Sequence, residues 1–281
     1  MNIRKIEEKI FKTLGILSTI LILSMLLYIL YVIVRKGLPS LTWSMISEIP
    51  TGGFYLGKEG GILNAILGSL YVITGAIAFS FIISVPVVMY LNFTLKKGSK
   101  FANMARLTFD VLFGIPSIVY GAFGFTLMIF FGLKTSLLAG IITIGLLVLP
   151  VMIRAIDEVA GTIPKTLIEA PKALGATNYE TLKVLFKQLL PGISTATLLA
   201  IGRGIGDAAT VLFTAGYTDS IPNSLGQPAA TLPLAIFFQL GSPVEEVQNR
   251  AYAAALILTI IILLLSFAAR FSSRTLSKNK V

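Results

Sequence analysis

The sequence predicts an all-α, polytopic membrane protein with about six transmembrane helices. Three observations carry this. Of 281 residues, 55% are hydrophobic and the mean hydropathy is +0.87. Only 13% are charged, where a soluble domain carries roughly a quarter. The apolar residues fall in runs near the ~20 residues that cross a bilayer as a helix. Histidine and cysteine are both absent. That excludes disulfides, thiol chemistry, histidine-ligated metals and catalysis by a Ser-His or Cys-His pair. The pI near 9.8 reads as an excess of Lys and Arg on one membrane face, not as a nucleic-acid partner.

The first span is 14–34, after a basic start with Arg4, Lys5, Lys9 and Lys12. It is longer than the ~7–15-residue core of a signal peptide and reads as a retained helix. A polar loop at 37–61 holds Trp43, Pro50, Gly52, Gly53, Gly60 and Gly61. The second span, 62–93, is long enough to tilt or to kink at Pro86. A basic loop with Lys96, Lys97, Lys100 and Arg106 leads into the third span, 107–131. Asp110 lies near its start, where it sits near the cytoplasmic interface or caps the helix, and Gly114-Ile115-Pro116-Ser117 interrupts it. The fourth span is 137–156, with Pro150 near its end. A polar stretch, 154–192, separates it from the fifth span, 193–215. A loop over 216–250 contains the apolar run 232–238, and the sixth span is 251–269. Nothing resembles a linker, so one transmembrane domain over 1–281 is expected, with a core near 60–270.

Six spans put both termini on one face. Seventeen Lys and Arg fall on that face, in the N-terminus, the 94–106 loop, the 154–192 stretch and the tail with Arg270, Arg274, Lys278 and Lys280. Five fall opposite: Arg35, Lys36, Lys58, Lys134 and Arg250. The positive-inside rule therefore places both termini and the 154–192 stretch in the cytoplasm.

The 154–192 stretch reads as a helix–turn–helix. Leu167, Ala170 and Leu174 have helical spacing, and Gly175 ends that helix. Tyr179, Leu182, Leu185 and Phe186 begin a second helix, which Pro191 and Gly192 are expected to close. Such a unit suits docking of a soluble partner, and equally an amphipathic loop resting on lipid headgroups. In the fifth span, Arg203 and Asp207 are four apart, so on one helix they share a face and can pair. Thr210 and Thr214 continue that face, and Gly202, Gly204 and Gly206 permit close packing or unwinding. Charge at bilayer depth costs at least about 2.5–3.5 kcal/mol. Two roles remain open: Arg203 on the path of an oxyanion, which a guanidinium grips with two donors, or a neutralised pair fixing helix packing. There is no GxxxxGK[ST] loop, so if ATP drives this chain another chain binds the ATP and its Mg.

Glu169-Ala170-Pro171-Lys172-Ala173-Leu174-Gly175 resembles the Glu-Ala-Ala…Gly docking loop of ABC-importer permeases, with Pro171 in place of the second Ala. Further likeness lies in 110–119, in 199–215 with its Arg203, Asp207 and following Leu212-Phe213-Thr214-Ala215, and in Gln227-Pro228, Leu232-Pro233 and Ser242-Pro243. Together these are similar to the permeases of phosphate importers, which favour Glu where this chain has Asp207. The resemblance implies the type I ABC-importer fold and Leu167, Glu169, Ala170, Pro171, Leu174 and Gly175 as the docking face. It places Arg203, Asp207, Thr210 and Thr214 on the substrate path. It also implies two copies of a cytoplasmic ATPase, a second related permease subunit and an extracytoplasmic phosphate-binding protein. The chain itself would hold no cofactor and catalyse no reaction. A permease for molybdate or sulfate keeps the docking loop and changes the anion. An ion-driven carrier would need no ATPase, but no inverted repeat is evident.

Overall fold

The computed structural model describes residues 3–51, 59–96, 98–164 and 166–277. Gly52, Gly53, Lys58, Lys97, Lys165, Lys278 and Lys280 lie outside the described residues. Ten α-helices, and no strand, make up the described residues. Five helices are long and apolar enough to cross a membrane, and a bent pair makes a sixth candidate span.

Helix α1 (Ile3–Gly37) covers the first expected span. It meets the rest of the chain in its last turns, where a Cβ on Gly37 would lie 2.5 Å from the Tyr252 carbonyl oxygen. A 3₁₀ turn at Leu38–Ser40 precedes the short α2 (Trp43–Ser47), capped by the Thr42 hydroxyl, which accepts from the Met45 amide. Trp43 is 80% exposed, as suits an anchor at the headgroup level. Helix α3 (Leu63–Met89) carries Pro86 within it and ends in a π turn, Tyr90–Thr94.

The centre of the bundle is α3 against α6 (Leu137–Thr162). Apolar burial drives little association where lipid is as apolar as leucine, so small residues and close contact take over. The buried face of α3 is Ala65, Gly68, Ser69, Val72, Ala76, Ser80 and Ser84, at helical spacing. Ser80 donates to the Gly145 carbonyl of α6 at 2.8 Å. A Cβ on Gly68 would come within 1.9 Å of the Ala230 carbonyl oxygen.

The expected third span is broken. Helices α4 (Lys100–Gly114) and α5 (Ser117–Phe130) meet at 101°. Pro116 forces the residue before it out of the helical region, and Ile115 is extended (φ −70°, ψ 132°). The fifth expected span is also redrawn. After α7 (Thr166–Ala173), helix α8 runs without a break over Asn178–Gly204, through Pro191 and Gly192. Leu189, Ile193 and Ala196 are buried with Ile153 and Ile156 of α6, and a Cβ on Gly192 would press on Val159 at 2.8 Å. That packing outweighs the ~3 kcal/mol proline penalty of an isolated helix, as is common in membranes.

The apolar run in the 216–250 loop is a short helix, α9 (Leu232–Leu240), with Leu232, Pro233, Leu234, Ala235 and Gln239 buried. Helix α10 (Glu245–Ser277) starts earlier than its apolar run and takes in Arg250, which donates to the Gly60 carbonyl. Three apolar clusters stack along the bundle. Val88, Ile156 and Leu189 lie toward α7; Val72, Ile144, Leu147 and Ala200 lie centrally; Met45, Ile62, Leu232 and Ala253 lie at the far end.

Candidate functional site

Two features stand out, one at each end of α8. At its start is the helix–turn–helix. Helix α7 closes as a Schellman motif: the Gly175 amide donates to Lys172 and the Ala176 amide to Pro171, at 3.0 and 2.9 Å. Gly175 takes the required positive φ, +81°. Thr177 then caps α8 in a capping box. The Glu180 amide donates to the Thr177 hydroxyl at 3.3 Å, and the Thr177 amide donates to the Glu180 carboxylate at 2.8 Å. Two rigid caps therefore stand back to back.

Within this unit the apolar stripe faces the opposite way from a simple core helix. Leu174 is 89% exposed and Tyr179 76%, with Ala170 and Glu169 also exposed; Leu167 and Pro171 are half-buried. Ile168 and Lys172 instead border a cleft of about 400 Å³ closed by Phe93 and by Leu182 and Leu185 of α8. The stripe Leu167, Ala170, Leu174 thus leaves most of its apolar surface without a partner among the described residues.

Gly175→Ile is expected to weaken this unit where Gly175→Asn is not. An added Cβ meets nothing within 4 Å, so the cost is the left-handed backbone alone, about 1–2 kcal/mol. Asn tolerates that conformation far better than a β-branched residue. Faster proteolysis at 173–178 in the Ile variant, with global thermal stability held, is the expected readout.

At the far end of α8 the expected Arg203–Asp207 pair does not form. The helix ends at Gly204, and 205–215 runs in turns. Three glycines in five residues each weaken a helix by about 1 kcal/mol, and the Asp207 side chain competes for backbone donors. Asp207 accepts from the Thr210 amide at 2.7 Å. Arg203 is exposed, and neither ion pair of the described residues includes it. Thr210 and Thr214 are fully buried; the Thr210 hydroxyl donates to the Ser117 carbonyl at 3.2 Å and the Thr214 hydroxyl to the Thr210 carbonyl at 3.0 Å. They shape the turn and offer no free hydroxyl. Gly204 allows the turn to sit deep, since its Cβ would lie 2.9 Å from Ile73 and 3.1 Å from Ile144.

Unwound backbone at membrane depth is tolerated where protein buries it or water lines it. Here the Ser136 amide donates to Thr214 and the Ala229 amide to Ala215, both at 2.9 Å, while Gly121 of α5 abuts the Ala209 carbonyl. The result is a fixed polar turn with the exposed Arg203 guanidinium beside it.

A third group carries no motif in the sequence. Arg106 of α4 binds Asp157 of α6 through Nε and Nη2, at 2.8 and 3.1 Å. Asn92 donates to the same carboxylate at 2.6 Å and accepts from Arg106 at 3.1 Å. Asp110 pairs with Arg154 and lies well inside α4, whose N-cap is Ser99, so it is no helix cap. The available signal is the spacing: 106 and 110, like 154 and 157, each share one helix face.

A bundle of membrane helices that presents an unpartnered apolar helix–turn–helix at one end of α8 and an unwound polar turn at the other defines a permease-type transmembrane subunit. The family of binding-protein-dependent transport system inner membrane components matches residues 84–279, and the chain belongs to it. Within that family it belongs with the PstA permeases. It is 30% identical to the phosphate transport system permease protein PstA of Pasteurella multocida over 271 residues, 95% of this chain and 94% of that protein. The PstA of Yersinia pestis is 32% identical over 268 residues, covering 95% and 90%. Among solved structures, an inward-facing MetNI methionine ABC transporter chain aligns with a TM-score of 0.61 at 23% identity, over 76% of this chain and 97% of that one. That likeness concerns the fold.

Proposed function

We propose that the chain is the PstA-type permease subunit of an ATP-driven importer of inorganic phosphate. It spans the cytoplasmic membrane with both termini in the cytoplasm. Its partners are two copies of a PstB-like ATPase, a PstC-like second permease subunit and a PstS-like extracytoplasmic phosphate-binding protein. ATP and Mg belong to the ATPase; this chain binds no cofactor and makes or breaks no covalent bond. Leu167, Glu169, Ala170, Pro171, Leu174 and Gly175 form the ATPase-docking face. Arg203 and Asp207 border the phosphate path, with Thr210 and Thr214 holding the turn that places them.

One observation carries this reading. Helix α8 is a single rod of 27 residues joining the docking caps to the Arg203 turn. At 1.5 Å per residue it reaches about 40 Å, enough to carry a displacement at the cytoplasmic face to bilayer depth. ATP binding draws the docking faces together, the rods move, and the permease opens outward to accept phosphate. Hydrolysis returns it. This is a two-state element biased by two ligands.

The test is ATP-dependent uptake by vesicles holding the chain with its co-purifying subunits, offered phosphate, sulfate and molybdate in turn. Uptake of phosphate alone is expected. Uptake of another anion would replace the substrate and keep the ABC permease, and uptake without ATP would end that reading as well.

A further inference from the structure

Helix α8 is not the sole route between the docking face and the polar turn. Helix α6 ends at Thr162, four residues before the start of α7 at Thr166. In its last turns, Arg154 and Asp157 face Asp110 and Arg106 of α4 in a crossed two-rung ladder. Asn92, from the π turn at the end of α3, braces the Asp157 rung on both of its partners. Beyond the ladder, α4 bends through 101° into α5 at Ser117. The Ser117 carbonyl accepts from Thr210, whose amide holds Asp207, and Gly121 of α5 lies against the same segment. A path of contacts thus runs from the end of α6, close in sequence to α7, through the ladder, α4 and α5 to the polar turn.

We propose that the α4–α6 ladder, with Arg106–Asp157–Asn92 as its principal rung, is a mechanical joint that stays closed through the transport cycle and carries the docking movement to the Asp207–Thr210 turn. These are positioning residues, acting on the turn through α4 and α5. The geometry favours a closed joint over a gate. The Asp157 carboxylate accepts three hydrogen bonds from two helical segments, and a planar guanidinium holds both of its oxygens. Two rungs of opposite polarity also fix the register of α4 on α6, because a slide of either helix would bring like charges together. The ladder residues line a cleft of about 360 Å³ together with Phe109, Ile153 and Glu158; the Arg106 and Asp157 side chains are 36% and 20% exposed, so this rung is less screened than the exposed Arg154–Asp110 rung.

This inference rests on the permease reading above. A merely structural ion pair would govern how much complex assembles. A joint governs how much substrate moves per ATP hydrolysed, and that ratio is the readout. In the assembled importer in vesicles, Arg106→Asp and Asp157→Arg are each expected to lower phosphate uptake per ATP about tenfold or more, with ATP hydrolysis maintained. The double variant R106D/D157R, which rebuilds the rung with its polarity reversed, is expected to return to within about threefold of the native ratio. Arg106→Lys keeps the charge and loses the two-pronged grip, so it is expected to show a partial loss, and it serves if a charge reversal prevents assembly. An unchanged ratio in the single variants, or in Arg106→Lys where those fail to assemble, would overturn the joint. So would a double variant that assembles and stays uncoupled. A native complex that hydrolyses ATP but takes up none of phosphate, sulfate or molybdate removes the permease reading, and the joint with it, whatever the variants do.

Discussion

Arg203→Ala is expected to lower ATP-driven phosphate uptake by on the order of a hundredfold or more while the importer still assembles. The guanidinium is exposed at the end of α8 and joins neither ion pair of the described residues, so its loss strands no charge among them. Charge-assisted hydrogen bonds contribute about 1.5–3 kcal/mol each. Two of them to a phosphate in the path amount to roughly 3–6 kcal/mol, and about 1.4 kcal/mol is tenfold in rate. Arg203→Lys retains the charge without the fork and is expected to fall between the two. The check is initial uptake rate set beside subunit stoichiometry after purification. Near-native uptake by a fully assembled Ala variant would assign Arg203 to packing against the second permease.

The second large effect is expected at the other end of the same helix. Leu174→Asp should abolish stable association with the ATPase and leave this chain's own stability unchanged. Leu174 is 89% exposed, so its replacement by a carboxylate leaves no cavity here. On docking, burying a leucine contributes about 1.5–3 kcal/mol. A carboxylate in the same groove forfeits that and adds an unpaired charge removed from water. A fall in ATPase affinity on the order of a hundredfold, with an unshifted melting temperature, is the expected pair of results. Full retention of the ATPase would show that the docking face lies elsewhere, and a lowered melting temperature would show that Leu174 packs within the chain.

Both expectations concern residues that stand out in the amino-acid sequence itself. Long apolar runs and the low share of charged residues carry the fold class, because membrane solvation leaves so few alternatives. The helix–turn–helix is legible because its punctuation is local: Gly175 and the Thr177–Glu180 box act within a few residues. Tertiary contacts decide the rest. Pro191 and Gly192 read as a stop, yet α6 packs across them and the helix continues. Arg203 and Asp207 have pairing distance only on an intact helix, and the glycines between them undo it. Arg106 and Asp157 are separated by 51 positions, and no period along the chain brings them together.

The polar turn also has a consequence for biogenesis. Its carbonyls at Thr214 and Ala215 wait for the amides of Ser136 and Ala229, and Thr210 waits for Ser117. One of those partners is synthesised after the turn, and the other two reach it only when α5 and α6 have come alongside. As it leaves the ribosome, the segment therefore cannot enter lipid on its own terms, since bare backbone in hydrocarbon costs several kcal/mol per group. It must stay hydrated at the insertion machinery until residue 229 has emerged. Maturation of the permease is thereby tied to synthesis of the segment that carries Ala229.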